Sequence, residues 1–139
     1  MKVDAMSNPL DVTARPEESL ADAASRMRWN DVGCVVVLED GRLIGILTER
    51  DLTRSVADNV DAARTTVEDY MTPDPHIVGV GTDAKEAARQ MISAGVRHLP
   101  LVDALGALAG ILSMRDIMAD LLWCDDTALA VVFGEEAAS

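Results

Sequence analysis

The sequence is poor in aromatic residues and in positively charged residues. The first shortage limits the composition of the core, and the second argues against polyanionic partners. Aromatic side chains make up 3% of the 139 residues, so we expect a core built from Val, Leu, Ile, Ala and Met. Twelve Lys and Arg stand against 24 Asp and Glu, which gives a formal net charge of -12 at pH 7. Because so acidic a chain repels polyanions, we expect no nucleic-acid partner and no anionic membrane surface as a partner.

Cysteine is also scarce. The two cysteines, Cys34 and Cys124, lack the close Cys or His spacing of a metal site, so no metal site is expected. Cys34 lies in an apolar run and is interpreted as a small buried hydrophobe.

Targeting segments and long apolar runs are missing too. Met1–Asp11 has no basic flank followed by an apolar core, so we expect no signal peptide. The longest apolar run, residues 104–112, contains two glycines and is shorter than a bilayer-spanning helix needs to be. The expected setting is therefore the reducing cytoplasm.

What the sequence does contain is an internal repeat. Gly45–Asp51 reads Gly-Ile-Leu-Thr-Glu-Arg-Asp, and it returns 65 residues later, at Gly110–Asp116, as Gly-Ile-Leu-Ser-Met-Arg-Asp. Weaker matches precede both copies, including Met6-Ser7 opposite Met71-Thr72. The repeat predicts a first domain of residues 1–58, a linker of residues 59–66, a second domain of residues 67–123 and an acidic tail of residues 124–139.

Hydrophobic periodicity predicts the same order of elements in both copies: strand, helix, strand, strand, helix. In the first copy it predicts a short strand at residues 12–14 and helices of about residues 20–30 and 49–57. The second copy begins with a short segment, residues 67–71, and an extended Pro73-Asp74-Pro75, followed by a strand of residues 76–80. Leu20, Ala23, Ala24 and Met27 have the spacing of one buried helix face, with Ser19 as the N-cap. Asp40-Gly41 between two apolar runs predicts a hairpin. The fold class is therefore predicted as mixed α/β, with two β-α-β-β-α units related by a pseudo-two-fold axis.

Each repeated motif is interpreted as an apolar strand that delivers a hydroxyl residue to the start of a helix, followed by an Asp three residues later. Thr48 and Asp51 form the first pair, and Ser113 and Asp116 form the second. This arrangement is a small polar site at a strand-to-helix corner. The same spacing also fits a capping box, in which hydroxyl and acid bond the helix's own N–H groups. The two roles are compatible, since a capping hydroxyl can still face a ligand.

Together these features resemble a tandem pair of CBS domains, also called a Bateman module. Both copies show the small apolar helix, the hairpin and the Gly-apolar-apolar-Thr/Ser-x-x-Asp ending, and Val96–Asp103 resembles the family's second strand. The resemblance covers about residues 3 to 123. It implies two tandem CBS domains in a stand-alone regulatory protein that forms a homodimer and is not an enzyme.

The resemblance also implies a ligand. CBS pairs often bind adenosine-containing molecules in the cleft between their domains, so AMP, ADP, ATP or S-adenosylmethionine is expected, with no obligatory cofactor and an unidentified regulated protein as partner. By position, Asp51 and Asp116 would accept hydrogen bonds from ribose, since a carboxylate has two acceptor oxygens for a vicinal diol. The residues implied for ribose or phosphate are Thr48, Ser113, Arg50, Arg115, Arg97 and His98. Those implied for adenine are Val12, Thr13, Ile77 and Val78.

Two alternatives are weighed against this function. One is a structural or protein-interaction homodimer with degenerate, unoccupied clefts, because the first copy has Gly33-Cys34 where the second has Arg97-His98. The same difference predicts unequal sites and favours the second copy. The other is an enzyme, but no Ser, Cys or Lys nucleophile has a recognisable base beside it, so no catalytic residue is predicted.

Overall fold

The computed structural model describes residues 12–124, apart from the side chains of Trp123 and Cys124. The chain divides into two compact units, an N-terminal unit, Leu10–His76, and a C-terminal unit that contains Ile77 and the residues after it. The predicted acidic tail beyond Cys124 lies outside the described residues, as does the Met6-Ser7 part of the repeat. No helix in the described part of the chain combines the length and the apolar character that a membrane crossing needs.

The N-terminal unit is built on a four-stranded sheet with the order β1-β2-β3-β4. β1 runs parallel to β2, and the other neighbours are antiparallel. Its elements in chain order are β1 (Thr13–Ala14), α1 (Leu20–Asn30), β2 (Cys34–Glu39), β3 (Arg42–Thr48), α2 (Glu49–Ala57), α3 (Val67–Tyr70) and β4 (Thr72–Pro73).

The hairpin between β2 and β3 sets the position of the first corner. Asp40 and Gly41 both have positive φ, 51° and 76°, as the tightest hairpin turns require. The register pairs Glu39 with Arg42 beside the turn and Cys34 with Thr48 at the far end. Thr48 therefore lies next to the start of β2, where the chain leaves the sheet and enters α2.

The segment between α2 and α3 is bonded to the first turn of α1. The N–H of Leu20 donates to the Thr65 carbonyl at 2.9 Å, and that of Ala21 donates to the Ala62 carbonyl at 3.0 Å. The first amides of a helix have no acceptor within the helix, so this segment satisfies two of them.

The first residues of the second sequence copy, 67–73, pack in the N-terminal unit. Val67 is fully buried in that unit's core, and Pro73 of β4 pairs with Gly45 of β3. Gly45 permits this approach, because a Cβ there would lie 2.6 Å from Met71 Sδ and 3.0 Å from the Thr72 carbonyl oxygen. The boundary between the two packed units therefore lies after His76, whereas the second copy of the sequence repeat begins at Val67.

The C-terminal unit repeats the architecture with a three-stranded sheet of order β5-β6-β7 among the described residues. Pairing is again parallel for the first two strands and antiparallel for the second two. Its elements are β5 (Val78–Gly79), α4 (Ala84–Ala94), β6 (His98–Val102), β7 (Leu108–Ser113) and α5 (Met114–Cys124).

Each unit has its own core, and both cores are aliphatic. The buried residues of the N-terminal core are Val12, Ala14, Leu20, Ala23, Met27, Val35, Val37, Leu47 and Val67. Those of the C-terminal core are Val78, Ala84, Ala87, Met91, Leu99, Leu101, Leu112 and Ile117. The corresponding helices α1 and α4 thus contribute equivalent residues to both cores.

The predicted mixed α/β class and the order strand, helix, strand, strand, helix are confirmed in both units. β5 is shorter than the predicted strand of residues 76–80. The chain turns at Gly81, with φ of 88°, and both the backbone N–H and the hydroxyl of Thr82 donate to the Gly79 carbonyl. That turn ends the strand.

Candidate functional site

The first strand-to-helix corner is a complete capping box. Asp51 Oδ2 accepts hydrogen bonds from the backbone N–H of Thr48 at 2.9 Å and from its hydroxyl at 3.1 Å. In return, Thr48 Oγ1 accepts from the backbone N–H of Asp51 at 3.3 Å. Asp51 is only 4% exposed, so its carboxylate is nearly closed off from solvent.

The other oxygen of this carboxylate is also occupied. Arg54 Nη2 lies 3.2 Å from Asp51 Oδ1 and donates to the Tyr70 carbonyl at 3.1 Å. The guanidinium thus connects α2 with α3. Arg54 is not among the predicted site residues, although a cation three residues after an acid on a helix is a known pairing pattern.

The second corner has the same backbone design with different surroundings. The backbone N–H of Asp116 donates to Ser113 Oγ at 3.0 Å, so Ser113 caps the start of α5. Asp116 is partly exposed, whereas its counterpart Asp51 is buried. Ala119 stands where the first copy has Arg54, so α5 has no arginine at this position.

The structure brings Arg97 and His98 to the second corner. His98 pairs with Ser113 in the sheet register, and the N–H of Met114 donates to the Arg97 carbonyl at 2.8 Å. In the first copy the same positions are held by Gly33, whose carbonyl accepts from the N–H of Glu49 at 3.1 Å, and by Cys34, which pairs with Thr48. The backbone of the second corner is therefore bonded to two basic residues, where the first corner has glycine and cysteine.

Cys34 adds no charge to the first corner. Burial, and secondly the negative charge of Glu49, raises the pKa of its thiol to about 12. At neutral pH the group stays protonated, and a protonated buried thiol is neither a nucleophile nor a metal ligand.

The remaining predicted residues are more dispersed. Arg50 and Arg115 lie in the first turns of α2 and α5 and are exposed. Val12 and Val78 are core residues, and Ile77 is 47% exposed. Thr13 lies on β1, which β2 separates from β3 and Thr48, and its carbonyl accepts from Arg26 Nη1 at 2.6 Å.

A cavity of about 610 Å³ opens at the other end of the N-terminal sheet. It is lined by residues 13–18, Arg26 and residues 38–41, beside the β2–β3 turn and away from Thr48. Four acidic side chains face two arginines in this lining. One acid, Glu18, is bound to Arg26 at 2.7 Å. Burial tends to raise the pKa of Glu18, but the bonds from Arg26 and Arg15 outweigh burial and lower it. An acidic lining of this kind does not suit a phosphate.

Metal chemistry has no candidate site among the described residues, where no group of three or more His, Cys, Asp or Glu is arranged to hold an ion.

Comparisons with known proteins agree with the duplicated architecture. Residues 3–58 and residues 67–122 each match the family model of the CBS domain. An uncharacterized 17.7 kDa protein of Acidianus ambivalens is 34% identical over 123 residues, which are 87% of this chain and 73% of that protein. Three further curated relatives are longer, and the aligned residues cover 56%, 18% and 38% of their length. They cover 74% of the CBS domain-containing protein YhcV of Bacillus subtilis, which is 32% identical over 106 residues.

Solved structures show the same fold. The CBS-domain protein ATU1752 of Agrobacterium tumefaciens superposes with a TM-score of 0.79 at 28% identity, over 86% of this chain and 98% of the other. CBSX2 of Arabidopsis thaliana, crystallised in complex with AMP, gives a TM-score of 0.72 at 27% identity, over 88% and 96% of the two chains.

Proposed function

The chain belongs to the CBS domain family, and from this membership we propose that it is a regulatory module that binds an adenosine-containing ligand at a strand-to-helix corner. Candidate ligands are AMP, ADP, ATP and S-adenosylmethionine. The AMP complex of CBSX2, a relative with the same fold, supports the choice of adenosine. Occupancy would alter the activity of a partner protein, with the module acting as a cytoplasmic homodimer rather than as an enzyme.

The observation that carries the proposal is the set of groups at the second corner. A partly exposed carboxylate, Asp116, lies beside the capping hydroxyl of Ser113 at the N-terminus of α5. Two carboxylate oxygens suit the vicinal diol of a ribose, and the helix N-terminus favours an anion. His98 begins β6 and Arg97 precedes it, and these two residues add basic groups suited to a phosphate.

Thermal unfolding with a panel of AMP, ADP, ATP and S-adenosylmethionine tests this function. A ligand at about a hundred times its dissociation constant adds roughly 2.7 kcal/mol of stability, which raises the midpoint by roughly 9 °C for a chain of this size. We expect at least one of the four to produce such a rise with the wild type and to lose it with Asp116→Ala.

The matched control is Asp51→Ala, the same substitution in the other copy. It removes a capping acid too, so it lowers the starting midpoint, but the rise caused by ligand should remain. If no ligand shifts the wild type, the sensing function is wrong; if the rise survives Asp116→Ala, the site lies elsewhere.

A second candidate function is a protein-interaction homodimer. It is favoured by three large apolar side chains on helix surfaces: Trp29 is 86% exposed, Val56 78% and Ile92 73%. Large exposed apolar side chains mark contact surfaces where they join into a patch. Sedimentation equilibrium of Trp29→Glu against Arg28→Glu, a neighbouring exposed position, tests whether Trp29 holds two copies together.

A further inference from the structure

We propose that Arg54 closes the N-terminal corner, so that each chain binds one adenosine ligand, at Ser113 and Asp116, and that this arginine decides which corner is used. The inference rests on the proposed function and deepens it. It concerns the number of ligands and the residue that sets this number.

The first step is the state of the Asp51 carboxylate. Oδ2 already accepts two hydrogen bonds from Thr48, and Oδ1 is paired with Arg54 at 3.2 Å. Only 6% of the Asp51 side chain is exposed. A ribose diol needs both oxygens of a carboxylate within reach, so at this corner it would have to displace the guanidinium.

The second step is that Arg54 is fixed from two sides. Besides Asp51, its Nη2 bonds the Tyr70 carbonyl at 3.1 Å, and Tyr70 is itself held by its hydroxyl, which donates to Asp58 Oδ2 at 2.7 Å. Displacing the guanidinium would therefore break bonds to both α2 and α3. It would also leave the buried Asp51 without a cation, which is costly for a charged group.

The third step is the contrast with the other copy. Ala119 occupies the position of Arg54 and is exposed, so α5 presents no cation three residues after Asp116. Asp116 is also less buried than Asp51. In addition, the basic residues Arg97 and His98 lie at this corner, where the first copy has Gly33 and Cys34. Accessibility and charge therefore both favour the second corner.

The opposite role for Arg54 is direct binding of a phosphate, which a guanidinium can hold through paired N–H donors. The two roles predict opposite effects of removing it. If Arg54 binds ligand, Arg54→Ala weakens binding; if it closes the corner, Arg54→Ala adds a site.

The test is isothermal titration calorimetry of the full chain with AMP, on two reciprocal variants. Arg54→Ala gives the first corner the residue of the second, and Ala119→Arg gives the second corner the residue of the first. We expect one AMP per chain for the wild type, two for Arg54→Ala, and one again for the double variant Arg54→Ala/Asp51→Ala. For Ala119→Arg we expect the affinity to fall at least tenfold.

Arg64→Ala is the control, because Arg64 is an exposed arginine paired with an acid three residues away, Asp61, at 3.7 Å. It removes the same charge from the same unit and should leave one site of unchanged affinity. Circular dichroism confirms that each variant is folded. Because Ala119 is exposed, Ala119→Arg tests the inference even if Arg54→Ala unfolds.

Two AMP per wild-type chain, unchanged stoichiometry in folded Arg54→Ala, or unchanged affinity in Ala119→Arg would overturn the inference while leaving the sensing function intact. Failure of the function itself has a different signature, since the wild type then shows no midpoint rise with any of the four ligands.

Discussion

At the scale of single residues, Gly45 shows how one missing side chain places a strand. Replacing it with Ala puts a Cβ 2.6 Å from Met71 Sδ and 3.0 Å from the Thr72 carbonyl oxygen. The thioether can shift, but the backbone of β4 cannot do so without losing its pairing with β3. We expect Gly45→Ala to lower the free energy of unfolding by about 1–3 kcal/mol, measured by urea denaturation.

Gly79→Ala is the matched control for this prediction. Gly79 also lies in a strand, yet among the described residues no heavy atom lies within 4 Å of the position its Cβ would take. Its substitution should change stability by no more than about 0.5 kcal/mol. Equal losses of unfolding free energy in the two variants would mean that these glycines are required for their backbone conformation and not for the space that a missing side chain leaves.

The corner residues show what sequence can and cannot predict at this scale. The three-residue spacing of Thr48 and Asp51 predicts the capping box, because both partners lie within one helical turn. The second bond of Arg54 depends on Tyr70, 16 residues away, and therefore on how α3 packs. The burial that separates Asp51 from Asp116 likewise depends on packing. The ligand-binding roles assigned to these residues remain predictions.

At the scale of elements, helices α1 and α4 end in the same way with different residues. Asp31 has φ of 52° and Gly95 has φ of 70°. In both, the next residue donates back to a methionine carbonyl: Val32 to Met27, and Val96 to Met91. A left-handed residue at this position strains any side chain but costs glycine nothing.

Exchanging these two end residues should have opposite effects. Asp31→Gly relieves the strain, and we expect the free energy of unfolding to rise by up to about 1 kcal/mol, since part of the gain is offset by the flexibility of glycine in the unfolded chain. Gly95→Ala introduces the strain and should lower it by about 1 kcal/mol. Thermal denaturation of both variants measures the pair. A loss for Asp31→Gly would show that the Asp side chain stabilises this end.

The long elements and the short strand β1 were predictable from the sequence, β5 was predicted with too great a length, and β4 was not predicted. The boundaries of α1 and α2 agree with the expected residues 20–30 and 49–57. Their caps and periodic apolar faces are formed by residues within or next to each helix, so the sequence shows them directly. The two-residue strand β4 has no such signature, since it exists only through pairing with Gly45–Ile46. Sequence alone therefore predicted a short segment at residues 67–71 and an extended segment after it, without the pairing of β4 with β3.

At the scale of the whole molecule, the two cores predict two regions of cooperative unfolding. Leu47 and Leu112 are equivalent residues of the repeat, and both are fully buried, one in each core. Replacing either leucine with Ala should lower the free energy of unfolding by about 2–5 kcal/mol. The N–H of Val67, which donates to the Glu18 carbonyl at 2.8 Å, and that of Met71 should exchange with the N-terminal unit.

Native-state hydrogen exchange checks this assignment. We expect Leu47→Ala to speed the exchange of the Val67 and Met71 amides more than Leu112→Ala does. The reverse order would place residues 67–71 in the cooperative region of the C-terminal unit, in agreement with the sequence repeat and against the packing.

The position of residues 67–73 also matters for anyone who builds chimeras from this protein. A junction placed between the sequence copies, after Thr66, would replace Val67 and β4 with residues of the other protein. The N-terminal unit would then lose a core residue and the edge strand of its own sheet. A junction after His76 keeps both with the unit into which they pack. Module exchange should follow the limits of packing, which lie ten residues beyond the limit of the repeat.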